Sequence, residues 1–255
     1  MKYNRKEFLK IAGKFVLIGG FAKILKANKL FAAVAGKPVN KEYDIKSNLW
    51  GYGIDISKCI GCGRCVDACK KENNVPKEPF FFRTWVERYG ILENGEVKVD
   101  SPNGGLNGFT DKYKDEKLVK KYFVPKICNH CEHPPCVQVC PVGATYTTPD
   151  GVTLVDRKYC IGCRYCIQAC PYGARYLHPK LHVADKCSLC YHRITKGLLP
   201  ACVEVCPVKA RIVGNLKDPN SEIKKFLNAN DIQVLKPHLG TKPKIYYKGM
   251  DKEIF

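Results

Sequence analysis

The chain has 255 residues, which is enough to bury a real core in one compact unit or two fused lobes. It carries 43 Lys+Arg against 24 Asp+Glu, a formal charge of +19, which on its face suggests nucleic acid or a membrane surface. Sixteen cysteines, far above ordinary usage and gathered in groups, argue against that reading and against an ordinary cofactor-free core.

Residues 1–35 come first and read as an export signal. A charged start, Asn4-Arg5-Lys6-Glu7-Phe8-Leu9-Lys10, precedes an apolar stretch from Ile11 to Leu25 and the A-x-A-like site Ala33-Val34-Ala35-Gly36. The apolar part is interrupted by Lys14, Gly19, Gly20 and Lys23 and falls short of the roughly twenty residues a spanning helix needs, so a cleaved leader is expected over an anchor. The string NRKEFLK resembles the twin-arginine export signal, with Lys6 where the second arginine usually stands. That signal carries folded proteins, which implies a mature protein on the periplasmic or extracytoplasmic side. An amphipathic N-terminal helix is the competing reading.

The first cysteine group is Cys59-Ile-Gly-Cys62-Gly-Arg-Cys65-Val-Asp-Ala-Cys69. After it, from about 73 to 126, comes an insertion with Phe80-Phe81-Phe82, Trp85 and Tyr89, an aromatic run read as core before interface. Within the insertion, residues 84–92 and 97–99 flank Glu93-Asn94-Gly95-Glu96, a pattern that predicts a β-hairpin. The second group, Cys128, Cys131, Cys136 and Cys140, widens the middle gap to four residues and ends in Pro141. The third, Cys160, Cys163, Cys166 and Cys170, repeats the spacing of the first and ends in Pro171. The fourth, Cys187, Cys190, Cys202 and Cys206, widens the gap to eleven and ends in Pro207. Beyond it, Asp218-Pro219-Asn220-Ser221 opens a short helix, and Lys242–Tyr247 reads as an extended strap.

A fourfold theme of this kind is an internal repeat. Three cysteines two residues apart lie on a tight loop whose thiols converge on one corner of a cube, and the fourth begins a helix aimed at a neighbouring cube. The glycines of the CIGC strings permit the backbone angles such a loop needs and leave N–H groups free to face sulfide. The spacing therefore points to [4Fe–4S] clusters. Eight disulfides and zinc are the alternatives; zinc could be read into groups two and four, but groups one and three supply a third close thiol that zinc does not need. No C-x-x-C-H occurs, so attached c-type haem is out, and His130 and His133 read as surface or supporting residues. Residues 1–35 hold eight Lys+Arg and one Asp+Glu, hence +7, leaving +12 for the rest. Sixteen thiolates around four oxidised clusters would bring that to about +4, which needs no polyanion to explain it.

With these groups in hand, the sequence resembles the four-cluster electron-transfer subunit of the dimethyl-sulfoxide-reductase family of molybdopterin oxidoreductases, as in polysulfide and tetrathionate reductases. The resemblance runs from about residue 50 to 247. It rests on the order of the groups and on Cys128-Asn-His-Cys131-Glu-His-Pro-Pro-Cys136, Cys170-Pro171-Tyr172-Gly173-Ala174-Arg175 and Lys186-Cys187-Ser-Leu-Cys190. It implies an α+β fold of tandem ferredoxin-like lobes related by a pseudo-twofold, over residues 36–220, with the hairpin insertion and a C-terminal helix and strap over 221–255. It also implies a ligand pairing. Cys59, Cys62 and Cys65 would share a cluster with Cys206, and Cys187, Cys190 and Cys202 with Cys69. Cys128, Cys131 and Cys136 would join Cys170, and Cys160, Cys163 and Cys166 would join Cys140. No thiol is missing, so four [4Fe–4S] clusters are expected; Lys70 stands where proline often follows the fourth cysteine.

No nucleophile–base set, dinucleotide fingerprint or phosphate loop accompanies the cysteines. The expected role is a non-catalytic relay between a molybdopterin catalytic subunit and a separate quinone-reactive membrane subunit, membrane-associated through those partners and without nucleic acid or a spanning helix of its own. An independent exported polyferredoxin carrier and a zinc-stabilised binding module are the rival readings. Arg64, Lys70 and Arg164 lie close to ligands in sequence, where they would either raise cluster potentials or face solvent.

Overall fold

The computed structural model describes residues 43–78, 81–110 and 117–251; the expected leader and Phe80 lie outside them. Strand β1 (Trp50–Asp55) leads into the first cysteine loop, and helix α1 (Arg64–Glu72) starts as that loop closes. Strands β2 (Thr84–Leu92) and β3 (Val97–Asp100) then pair antiparallel across a turn in which Gly95 takes φ +82° and the Glu96 N–H donates to Asn94 Oδ1 at 2.9 Å. A third strand, β4 (Leu118–Ile127), returns along the other side of β2 and makes the sheet order β3-β2-β4. Its Lys120-Lys121 pair and Pro125 break any strand pattern in the sequence. The edge position makes the proline tolerable, since no second neighbour needs its missing N–H.

The second and third groups fold the same way. Helix α2 (Pro135–Gln138) precedes the hairpin of β5 (Thr145–Thr147) and β6 (Thr153–Val155). Helix α3 (Tyr165–Gln168) precedes the hairpin of β7 (Arg175–Leu177) and β8 (Ala184–Lys186). In the fourth group, α4 (Tyr191–Ile194) and α5 (Ala201–Glu204) flank the long gap. Strand β9 (Arg211–Asn215) then lies antiparallel to β1. Ser221 caps α6 (Glu222–Ala229) by accepting from the Lys224 N–H, as serine at that position favours.

The tail is an inner strand. After β10 (Ile232–Gln233), β11 (Ile245–Lys248) runs parallel to β1 with Tyr52 opposite Ile245, giving the order β10-β11-β1-β9. The last segment therefore shares its sheet with the strand that feeds the first cysteine group. The main core joins this sheet to the insertion sheet through Tyr52, Ile54, Val86, Val124, Ile127, Ile245 and Tyr247. Side chains buried this fully contribute roughly 1.5–3 kcal/mol each. The described part of the aromatic run divides: Tyr89 is buried in this core with Phe82 packed against it, while Trp85 packs beside Cys128 and Cys187 and Phe81 lies against the Tyr176 ring.

Two helix pairings bring the cysteine groups together. Helix α1 packs on α5, joining groups one and four, and α2 packs on α3, joining groups two and three. Among the described residues no helix is long and apolar enough to cross a membrane.

Candidate metal centres

Each cysteine loop depends on backbone turned into the left-handed region. Gly63 opens α1 at φ +71°, where an added Cβ would lie 2.1 Å from the Gly105 carbonyl oxygen, so only glycine fits. The matching position in the third group is Arg164, also left-handed at φ +70° but open to solvent, so a side chain is accommodated there. Backbone N–H groups point at sulfur as these loops require. Thr145 donates to Cys140 Sγ and Ala184 to Cys160 Sγ, both at 3.4 Å, while Ala210 donates to Cys206 and Leu189 to Cys187, both at 3.3 Å.

All sixteen thiols are free of disulfides. A small cavity is lined by Cys59, Cys62, Cys65 and Cys206. A second is lined by Cys69, Cys187, Cys190 and Cys202 together with Tyr52 and Asn73. Cys131 feels Cys128, Cys136 and Cys170 as electrostatic neighbours. Cys160 and Cys166 lie in one small apolar cluster with Cys136 and Ala184. Cys163 is exposed and Cys140 half-buried.

Burial, with the neighbouring thiols adding to it, pushes the Cys59 thiol up to about 11 and Cys131 and Cys187 up to about 12. Cys140 goes the other way: slight burial opposes the shift, but the N–H groups of Thr145, Val142 and Ala144 hold it below the ordinary thiol value. Four such thiols cannot all ionise beside one another without a strongly positive centre between them. Among the described residues no three His, Cys, Asp or Glu side chains are placed to hold a single metal ion, the geometry a tetrahedral zinc demands. Thiols that crowd yet do not close on one ion fit a polynuclear iron–sulfur group, in which each sulfur takes a different iron.

The buried polar atoms agree. Asn129 Nδ2 and Oδ1, His130 Nε2, Thr153 Oγ1 and Arg175 Nε are buried without a protein partner. Asn129 and His130 sit between Cys128 and Cys131. His130 Nδ1 accepts the Thr153 N–H at 3.1 Å, so a neutral ring carries its proton on Nε2. Burial, with Lys186, Lys244 and Arg175 nearby, drives the His130 pKa well down and keeps the ring neutral. Orphaned donors among thiols match the sulfide acceptors of a cluster. His133, by contrast, is exposed.

Neighbouring thiols link the cysteine groups. Cys65 neighbours Cys202, Cys187 neighbours Cys128, and Cys136 shares its apolar cluster with Cys166. The charged residues that touch sulfur are Arg211, which donates to Cys65 Sγ at 3.2 Å, and Arg175, which donates to Cys136 Sγ at 3.0 Å. Sequence reasoning pointed elsewhere. Arg64 and Arg164 are exposed and make no hydrogen bond or ion pair among the described residues, while Lys70 is buried and donates to the Pro76 carbonyl at 2.6 Å, 4.4 Å over the Phe82 ring. The signal for the two arginines lay in Cys-Pro-x-x-Ala-Arg, which occurs after both Cys170 and Cys206.

Linked thiol sets on two packed helix pairs define an iron–sulfur electron-transfer protein. Residues 58–144 and 119–216 each match the 4Fe-4S dicluster domain family. The chain is 44% identical to a tetrathionate reductase subunit of Salmonella typhimurium, over 98% of this chain and 90% of that one. It is 39% identical to protein NrfC of Escherichia coli over 96% and 95% of the two chains. It is also 40% identical to a Halobacterium salinarum protein named for the iron-sulfur subunit of dimethyl sulfoxide reductase, over 78% of each. The chain belongs to the family of iron–sulfur subunits of the molybdopterin oxidoreductases.

Proposed function

We propose that this chain relays electrons through four [4Fe–4S] clusters within a respiratory oxidoreductase. It would pass them between a molybdopterin catalytic subunit and a separate quinone-reactive membrane subunit, on the extracytoplasmic side reached by the 1–35 leader. The ligand sets are Cys59, Cys62, Cys65 and Cys206; Cys69, Cys187, Cys190 and Cys202; Cys128, Cys131, Cys136 and Cys170; and Cys140, Cys160, Cys163 and Cys166. The clusters supply one-electron chemistry, and the chain supplies the rest. It holds the thiols in place, keeps water from the buried ones and sets each site's charge through donors to sulfur.

The observation that carries this reading is the linkage of the groups at Cys65–Cys202, Cys187–Cys128 and Cys136–Cys166. A pocket for a reacting substrate is not needed for a relay, and the names of the relatives, which are reductase subunits, support a place beside a catalytic chain. The full chain, loaded anaerobically, is expected to hold about sixteen iron and sixteen acid-labile sulfide with coupled EPR signals on reduction. Zinc in place of iron, or about eight iron, would overturn the reading. Purification from the native membrane is expected to bring a molybdopterin subunit with it; isolation as a lone soluble chain would favour an independent carrier.

A further inference from the structure

Four arginines are buried among the described residues, and they differ in one respect. Arg83 is paired with Asp185 at 2.9 Å and Arg88 with Asp100 at 2.7 Å. Arg175 and Arg211, 5% and 3% exposed, have no carboxylate within ion-pair distance among the described residues. Arg211 donates to Cys65 Sγ at 3.2 Å, Thr84 Oγ1 at 3.0 Å and the Tyr52 hydroxyl at 3.3 Å. Arg175 donates to Cys136 Sγ at 3.0 Å and Thr145 Oγ1 at 3.3 Å, and its Nε has no partner. A buried cation costs several kcal/mol unless an anion offsets it, and among the described residues the only candidate anion for either is a cysteine sulfur and the group it holds.

The two positions are equivalent in the chain. Each arginine stands five residues after the last cysteine of its group, at the start of the following strand, and returns to the third cysteine of the set that last cysteine is proposed to join. Among the described residues no guanidinium or ammonium donates to a thiol of the other two sets, although buried Lys186, whose Nζ donates to the Thr153 and Cys187 carbonyls, lies beside Cys187 of the second. Around Cys69, Cys190 and Cys202 the donors are neutral: Asn73 Nδ2 at 3.7 and 3.6 Å from the first two, and the Tyr52 hydroxyl at 3.3 Å from the third. Arg83 comes near that set, but Asp185 cancels its charge. Around Cys140 and Cys160 the donors are backbone N–H groups, and the residue five after Cys140 is Thr145. The cations that donate directly to a ligand sulfur therefore fall, among the described residues, on the first and third sets.

We propose that Arg211 and Arg175 raise the potentials of the first and third clusters through their direct hydrogen bonds to Cys65 and Cys136. This rests on the four-cluster reading. A guanidinium bonded to a thiolate stabilises the added electron more than a neutral donor does, and raises the potential of that cluster most, with a smaller effect on the next set, where Arg211 also faces Cys202 and Arg175 faces Cys166. Each reduction takes one electron from an external donor such as dithionite, and breaks no bond.

The test is an EPR-monitored redox titration of the full chain loaded anaerobically, with Arg211→Gln, Arg175→Gln and the exposed Arg64→Gln as control. Each buried variant is expected to lower the reduction equilibrium of one cluster about tenfold, or about 59 mV for one electron. The cluster affected should differ between the two, and Lys variants should shift it less. Fully loaded Gln variants with unmoved potentials would overturn the inference, as would an equal shift from Arg64→Gln. Should the Gln variants fail to load, the parent protein decides: two clusters titrating at least tenfold above the other two supports the inference, and four within tenfold sinks it. Iron well below sixteen per parent chain would instead bring down the four-cluster reading, and this inference with it.

Discussion

Gly63 and Gly143 both take positive φ, +71° and +64°, yet their surroundings differ. An added Cβ at Gly63 meets the backbone of Gly105 and Leu106, while at Gly143 nothing lies within 4 Å. Alanine at either costs about 1 kcal/mol for the left-handed backbone, and at Gly63 it also drives the 104–106 loop off the first cysteine group. Gly63→Ala is expected to lower both the apparent Tm and the iron content more than Gly143→Ala. Equal losses would show that the loop does not press on that group. The Arg83–Asp185 pair offers a second residue-scale prediction. Arg83 also holds Asn73 Oδ1 at 2.9 Å, and Asn73 reaches Cys69 and Cys190, so the pair props up sulfur donors. Removing either partner leaves a buried charge, at about 3–5 kcal/mol, whereas Arg83→Met with Asp185→Asn should cost well under the sum. Additive losses in a double-mutant cycle on unfolding would refute the coupling. At this scale the cysteines were legible because ligand spacing is a local property. Arg175 and Arg211 were not, because which sulfur a guanidinium reaches depends on how distant strands pack, and Arg64 and Arg164 drew attention only by adjacency.

Among the elements, β2 and β3 could be read from alternation around Asn94-Gly95, and α6 from its Ser221 cap. β4 could not. Its lysines and Pro125 obey the needs of an edge strand, which only the fold reveals. The tail shows the same limit: an extended segment is recognisable in Lys242–Tyr247, but its insertion between β10 and β1 comes from long-range pairing. Tyr247 tests that insertion. It is fully buried in the main core, and its hydroxyl donates to the Pro125 carbonyl at 3.3 Å, tying the tail to β4. Tyr247→Ala is expected to cost roughly 3–5 kcal/mol, as large aromatic truncations in cores do, and Tyr247→Phe about 1 kcal/mol for the lost hydrogen bond. Thermal unfolding of the loaded protein measures both. A Tyr247→Ala variant as stable as the parent would mean that the tail merely lies on the surface.

For the molecule as a whole, apolar packing is unevenly shared. The main core ties the β1 and β2 sheets together with large side chains such as Tyr52, Ile54, Ile127 and Tyr247. The segment holding groups two and three reaches the main core through Val152, Leu154 and Tyr172, and otherwise has two small satellite clusters among the described residues, Cys128 with Ala174 and Cys187, and Cys136 with Cys166 and Ala184. Its sheets are two-stranded hairpins of three residues per strand, too small to stand alone. Several of its buried polar atoms lack protein partners, and Arg175 has only sulfur as an anion. Stability there must come from the metal, whose binding is then part of the folding free energy. The β1 and β2 sheets, with a conventional core, depend on it less. Anaerobic removal of iron by a chelator should therefore strip hydrogen-exchange protection first from residues 128–187, and leave β1, β2 and β4 protected for longer. Simultaneous loss everywhere would mean that the clusters hold the whole molecule as one cooperative unit. Undiminished protection in 128–187 would mean that its hairpins carry a stability this structure gives them no means to have.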